Sequence, residues 1–246
     1  MKKSSLLFAT AFLLISWQIL SWAIHLSILP GPWRVLQTLT VELGKDLPSH
    51  FLASLWRVVA SMVLAVMLAA PAGIVIGQSA TLNRLFSPII YILYPIPKVV
   101  FVPILMLFLG VGDAAKISLV FTILFFQIIV LVRDQALGIP NQLIQSIRSL
   151  GAGRKALFRY VYFPASLPAI LTALRQSVGT AVAVLYVAEL FATKKGLGYY
   201  IYFNGSTLLD YPAMYAGVLM MSLLGLSLYF SVDWLEKCLC PWAVLR

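Results

Sequence analysis

The sequence predicts an all-α integral membrane protein of six transmembrane helices, and three observations carry that expectation. Hydrophobic residues make up 61% of the 246-residue chain and charged residues only 11%. Ordinary globular domains run roughly 45–50% apolar with about 25% charged, so the excess belongs to a surface that faces lipid. Six apolar stretches recur along the chain, and at about 20 residues per span they use nearly all of it as a single transmembrane domain over residues 1–246, with no room for a separate catalytic domain. The stretches are continuously apolar instead of alternating. That favours helices over barrel strands, because a lipid-exposed segment must satisfy its backbone hydrogen bonds internally. Disordered, collagenous and secreted disulfide-scaffold classes are excluded by the same composition.

The expected spans run from Leu6 to Leu29, Phe51 to Ile76, Phe86 to Leu109, Ile117 to Val132, Leu167 to Ala192 and Tyr211 to Leu235. The fourth is short for a hydrocarbon core of about 30 Å and must extend into its flanking polar residues. The 18 Lys and Arg against 8 acids give a net charge of +10, which in a soluble protein would suggest nucleic acid. In a membrane protein cations gather in cytoplasmic loops, so topology accounts for the balance and no nucleic-acid partner is expected. With both termini cytoplasmic, Lys2, Lys3, Arg84, Arg133, Arg148, Arg154, Lys155, Arg159, Lys237 and Arg246 fall inside, and the smaller set Arg34, Lys45, Arg57, Lys116, Lys194 and Lys195 falls outside. Ser21-Trp22-Ala23 resembles a signal-peptide cleavage site, but the apolar run persists to Leu29, which favours a retained first span.

From Pro30 to His50 the chain turns polar, and Glu42, Lys45 and Asp46 are expected on a short amphipathic helix that either lies along the outer surface or, the favoured reading, is a solvated connector. Cys238 and Cys240 are the only cysteines, and without nearby His they lack the ligands for a metal cluster. His25, His50 and Gln127 read as packing or interfacial residues.

The segment Asp134 to Leu167 is the one sizeable inner loop, and it reads as helix, turn, helix. Pro140 suits a first helical turn; Leu143, Ile147 and Leu150 then recur at i, i+4 and i+7, and Gly151 sits where a helix would end. A second, basic piece from Arg154 to Phe163 carries Leu157, Phe158 and Val161 and is expected to stop at Pro164, with Pro168 in the first turn of the fifth span. An amphipathic pair outside the bilayer must either lie on the membrane or dock a partner.

Gln145-Ser146-Ile147-Arg148-Ser149-Leu150-Gly151, followed after nine residues by Val161-Tyr162-Phe163-Pro164, resembles the EAA loop of binding-protein-dependent ABC transporter permeases. The spacing matches throughout, while Gln145, Ser146 and Ile147 replace the acid and two alanines, and Val161 and Phe163 replace Ile and Leu. Leu29-Pro30-Gly31-Pro32, Pro95-Ile96-Pro97 through Pro103, Val187-Ala188-Glu189-Leu190-Phe191 and Gly196-Leu197-Gly198-Tyr199 look like the branch serving sulfonates, taurine, nitrate and thiamine-precursor pyrimidines.

The resemblance implies the type I ABC importer permease architecture in a bacterial inner membrane. Gln145, Ser146, Ile147, Leu150, Gly151, Ala152 and Pro164 would form a coupling helix and turn that dock a cytoplasmic ATPase dimer. An extracytoplasmic substrate-binding protein would deliver the solute, and a second permease copy, giving a homodimer, would complete the pore. No G-x-x-x-x-G-K followed by Ser or Thr occurs, since Gly151-Ala152-Gly153-Arg154-Lys155 lacks both spacing and hydroxyl. The chain is therefore expected to be no enzyme and to hold no cofactor, with ATP and magnesium bound by the partner ATPase.

Within the membrane, Pro95, Pro97 and Pro103 remove backbone donors around Lys98, which predicts a kinked or unwound third span. That bend either lines the pathway or is a packed kink, and the Lys98 stem can snorkel to an interface. Glu189 near the outer end of the fifth span and Arg175 near its inner end lie about 21 Å apart along a helix and cannot pair. An intramembrane carboxylate is costly, so Glu189 either gates the pathway or ties helices together. The aromatic residues between Lys194 and Asp210 suit an interfacial belt or contact with the binding protein. A secondary carrier or channel would show paired intramembrane acids or a repeat, and an integral membrane enzyme a cluster of His, Asp or Glu; neither pattern is evident.

Overall fold

The computed structural model describes residues 3–191 and 193–244, and among these every regular element is helical. Lys2, Ala192 and Arg246, on which expectations also fell, lie outside the described residues. The helices are α1 Lys3–Ile24, α2 Pro32–Glu42, α3 Leu47–Gln78, α4 Ala80–Leu93, α5 Val102–Leu109, α6 Asp113–Leu137, α7 Asn141–Ser149, α8 Arg154–Leu157, α9 Phe163–Glu189, α10 Leu197–Tyr202, α11 Tyr211–Leu239 and α12 Pro241–Val244. Four segments are long and apolar enough to cross a membrane: α3, α6, the continuous run Arg154–Glu189 and α11. A fifth arises if α4 and Lys98–Leu109, bent by 79°, count as one broken span, while the apolar run Phe8–Ile24 on α1 is shorter.

Four of the six expected spans are thus matched by helices long and apolar enough to cross, the third only by the bent pair and the first by a shorter apolar run, with boundaries set by local chemistry. The fourth stretch grows to 25 residues by taking in Asp113, which sits favourably in the first turn of the helix dipole, and Arg133 and Asp134 at the other end. The first ends at Ile24 and not Leu29, since His25 adopts φ +50° and a turn follows. Lys45 and Asp46 fall after α2 instead of on it, where the Lys45 ammonium reaches back to Glu42 at 2.8 Å.

Pro164 does not stop the second basic piece, contrary to expectation. Residues Phe158–Tyr162 form a π turn in which the Phe163 N–H bonds to the Phe158 carbonyl, and the helix runs through to Glu189 with Pro164 and Pro168 inside that run. Proline removes the N–H and clashes with the carbonyl four residues back; widening the preceding turn by one residue relieves both problems without ending the helix. The inner loop is correspondingly shorter, confined between Leu137 and Arg154 apart from α7.

The chain forms two compact units, Met1–Ser54 with Glu189–Leu223, and Leu55–Ala188 with Leu224–Arg246. In the first, Trp17 packs on Tyr215 with ring centroids 5.9 Å apart, and the Ser21 hydroxyl donates to the Leu29 carbonyl at 2.8 Å, closing the turn after α1. Tyr200 donates to Glu42 at 2.9 Å, joining α2 to α10. Burial alone would raise the Glu42 carboxyl, but hydrogen bonds from Lys45 and Tyr200 outweigh it and hold the group below its usual range. The Tyr200 hydroxyl is pushed up by burial and then by the same carboxylate.

In the second unit α3 packs on α6 through Gly73 and Gly77, a Gly-x-x-x-Gly pair that lets two backbones approach closely. A Cβ at Gly77 would stand 2.7 Å from the Arg133 carbonyl oxygen and 2.7 Å from Ala136 Cβ. Gly77→Leu should therefore lower the melting temperature of the detergent-purified protein, with an overpacking cost of about 1–3 kcal/mol. Gly179→Ala, whose added methyl meets no atom within 4 Å, should leave it unchanged or raised; equal losses in both would refute close packing as the cause.

Candidate functional site

Three places gather the residues singled out in the sequence. The first is α7 and its turn. Asn141–Ser149 forms a helix with Pro140 at its start, and none of its residues is buried. Gln145 and Ser146 are exposed, Ile147 and Ala152 are half-buried, and Leu150 is 80% exposed. Ser149 donates its hydroxyl to the Ser146 carbonyl at 2.8 Å. Gly151 closes the helix with φ +84°, the left-handed conformation that glycine adopts without penalty, and its N–H bonds to the Arg148 carbonyl at 2.9 Å. Pro164 belongs to the helix that follows. The result is an amphipathic helix set between two turns, with Leu143 and Leu150 exposed and Ile144 and Ile147 half-buried.

The second is the break at Lys98. Pro95 and Pro97 cannot donate, so regular helical bonding ends with α4, and the Leu93 carbonyl accepts the Ile96 N–H of a tighter turn at 3.3 Å. The Lys98 ammonium adds to this, bonding to the Leu93 carbonyl at 2.7 Å and to the Tyr94 carbonyl. It also lies 4.7 Å from the Phe126 ring centroid and 5.6 Å from that of Tyr94. Lys98 is buried, so its stem does not snorkel outward. A cavity of about 280 Å³ adjoins it, lined by Tyr94, Phe126, Thr180 and Gln127, whose Oε1 is buried with no partner. Gln127 had read as a packing residue. Nothing in its local sequence marks it as lining a space.

The third is Glu189, at the C-terminal end of α9, where a carboxylate opposes the helix dipole. Ser54 donates to both carboxylate oxygens at 2.9 Å, and the Gly198 N–H donates to Oε2 at 2.8 Å. Ser54 Oγ in turn accepts the Leu197 N–H at 2.8 Å. Gly196 precedes α10 with φ +127° and no capping side chain of its own, and His50 Nδ1 lies 3.1 Å from both its nitrogen and its carbonyl oxygen. Ser54 and Glu189 together supply the N-cap that Gly196 cannot. Ser54 was missed in the sequence because it precedes its partner by 135 positions, while His50, read as a packing or interfacial residue, is buried against Tyr199 and Tyr200.

Between Lys194 and Asp210, where the aromatic residues suit an interfacial belt or contact with a binding protein, the chain is a folded segment with Leu197, Tyr200 and Ile201 buried and Tyr202 exposed. Arg175 pairs with Asp233 at 2.7 Å and Glu236 at 3.1 Å on α11, separately from Glu189. Among the described residues no group of three or more His, Cys, Asp or Glu could hold a metal ion.

The described residues form an all-helical, multi-pass chain with one broken span and an exposed amphipathic helix between two spans. The chain belongs to the binding-protein-dependent transport system inner membrane component family, which matches residues 66–239. It is 30% identical over 220 residues to the taurine transport system permease protein of Escherichia coli, covering 87% of this chain and 80% of that one. It is 27% identical over 216 residues to the formylaminopyrimidine transport permease protein of Halalkalibacterium halodurans, covering 87% and 86%. Inward-facing structures of the MetNI methionine ABC transporter superpose with a TM-score of 0.64 at 21% identity, over 76% of this chain and 93% of theirs, and share the type I importer fold.

Proposed function

We propose that this chain is the pore subunit of an ATP-driven importer, taking a small anionic or heterocyclic solute from a substrate-binding protein and passing it inward by alternating access. A separate ATPase dimer would bind ATP and magnesium, and a second copy of this chain would complete a two-fold pore within one transmembrane domain. Both termini would face the cytoplasm, which puts α7 on the ATPase side. The observation that carries the reading is α7 itself, an amphipathic helix with no buried residue, with Leu143 exposed on it and Leu150 exposed at its end, that finishes in a sharply defined turn. Gln145, Ser146, Ile147 and Leu150 would enter a groove on the ATPase, with Gly151, Ala152 and Pro164 fixing the approach angle. Closure of the nucleotide-bound dimer would then move α7 and the helices continuous with its loop. Pro95, Pro97 and Lys98 would border the pathway, since the cavity beside Lys98 offers one ammonium, two aromatic rings and an unpartnered amide oxygen to a small polar solute.

Gly151→Asp forces a branched acidic side chain onto a left-handed turn and adds charge to the docking face. The variant, and Ala152→Trp beside it, should insert and purify normally yet fail to retain the ATPase and to drive ATP-dependent uptake in proteoliposomes supplied with binding protein. Wild-type uptake by both variants would overturn the docking role, and uptake that needs no ATP would favour a secondary carrier.

A further inference from the structure

A second cavity, of about 430 Å³, lies where α3 hands over to α4, and its walls include Gln78, Ser79, Leu82, Arg148, Arg154 and Tyr162. Arg148 comes from the last turn of α7 and Arg154 from the first residue of α8, so the two guanidinium groups approach the space from either side of the Gly151 turn. Neither side chain has an ion-pair or hydrogen-bond partner among the described residues, and no carboxylate lines the space. Gln78 adds an Nε2 that is buried and unpartnered. Ser79 accepts the Leu82 N–H at 3.3 Å, so the first turn of the 14-residue α4, with its positive dipole end, borders the same space.

Arg148 and Arg154 are both exposed to solvent, so they do not need a counter-charge, but two like cations bordering one space make it attractive to an anion, and a buried amide donor without an acceptor carries a desolvation cost. Both features favour one kind of ligand. A carboxylate has two oxygens and would leave donors unused, whereas a tetrahedral oxyanion presents three or four and matches the planar forks of paired arginines. We propose that this cavity binds a phosphate-type oxyanion, supplied either as the headgroup of an anionic phospholipid or as the free ion. Bound there, the anion fastens both ends of the α7 turn to the α3–α4 junction and sets the pose in which α7 is presented. The site stands on this chain's own side chains and does not rest on the transport reading.

The test uses the full chain, delipidated, with the melting temperature followed by tryptophan fluorescence. One arm titrates sodium phosphate against sodium chloride at matched ionic strength; the other compares nanodiscs of phosphatidylglycerol with nanodiscs of phosphatidylcholine. Stabilisation by phosphate and by phosphatidylglycerol supports the site with the free ion sufficient; stabilisation by phosphatidylglycerol alone supports it with the headgroup as the source. In Arg148→Gln/Arg154→Gln the apparent affinity should fall by at least about tenfold, corresponding to ~1.4 kcal/mol. Equal responses to chloride or phosphatidylcholine, or an unchanged response in the double variant, overturn the proposal. Should the double variant fail to assemble, Gln78→Leu keeps both arginines and must still weaken the response several-fold, and an unchanged response there also overturns it. No ATPase is present in these measurements, so a negative result leaves the role of α7 in transport untouched.

Discussion

Glu189→Leu should sharply lower the melting temperature of the purified protein and loosen residues 197–208, detected as faster proteolysis or cysteine labelling in that segment. The carboxylate is fully buried and accepts from Ser54 and the Gly198 N–H. Leucine has similar bulk but no acceptor, so these donors, and through Ser54 the cap on Leu197, lose their partner in a region where water does not replace it. Each buried donor left unsatisfied costs about 1–3 kcal/mol, a large fraction of an ordinary folding free energy. Glu189→Gln should be intermediate, because the amide keeps one acceptor oxygen but turns an N–H2 toward donors. A brace predicts that stability and uptake fall together through this series. Lost uptake with an unchanged melting temperature would assign Glu189 to the gate instead.

Lys98→Met should be the other large effect. Lys98 is a cation at the C-terminal end of α4, the place where a helix dipole favours one, and it bonds to the Leu93 and Tyr94 carbonyls where the prolines interrupt regular helical bonding. Methionine preserves length and apolar packing while removing every donor, so the 79° break loses the group that closes it. The expected outcome is lower stability in detergent, with partial rescue by Lys98→Arg. Full stability in Lys98→Met together with altered substrate dependence of uptake would make the ammonium a solute contact and not a cap.

What the sequence made legible, and what it left hidden, divides along the range of the interactions. Hydropathy marked the spans because a bilayer imposes length and apolarity on each segment separately. Gly151 as a helix end and the Pro95 to Pro103 break were equally visible, since both follow from one residue's effect on its own backbone. Pro164 obeys the same rule, yet the expected stop did not occur, because the π turn at Phe158–Tyr162 just upstream absorbed the clash and the pattern around Leu157 and Val161 carries no sign of it. The capping of α10 by Ser54 and Glu189, the Gly73 and Gly77 contact with α6 and the orphan oxygen of Gln127 depend on partners distant in sequence. Glu189 could be named as important from its cost in lipid, but its role waited on knowing what faced it.

The uninterrupted run from Arg154 to Glu189 has 36 residues, which at 1.5 Å each makes a strut of about 54 Å. Had Pro164 broken the chain, the basic piece and the span would meet at a joint, and a tug on one could dissipate as bending there. With the π turn in place the helix is continuous through that point, so motion delivered at Arg154 would pass along one helix, and the π turn sets the rotational phase of its far half. Inserting or deleting a single residue within 158–162 would therefore turn the faces of the strut relative to each other by about 100° while leaving its length almost the same.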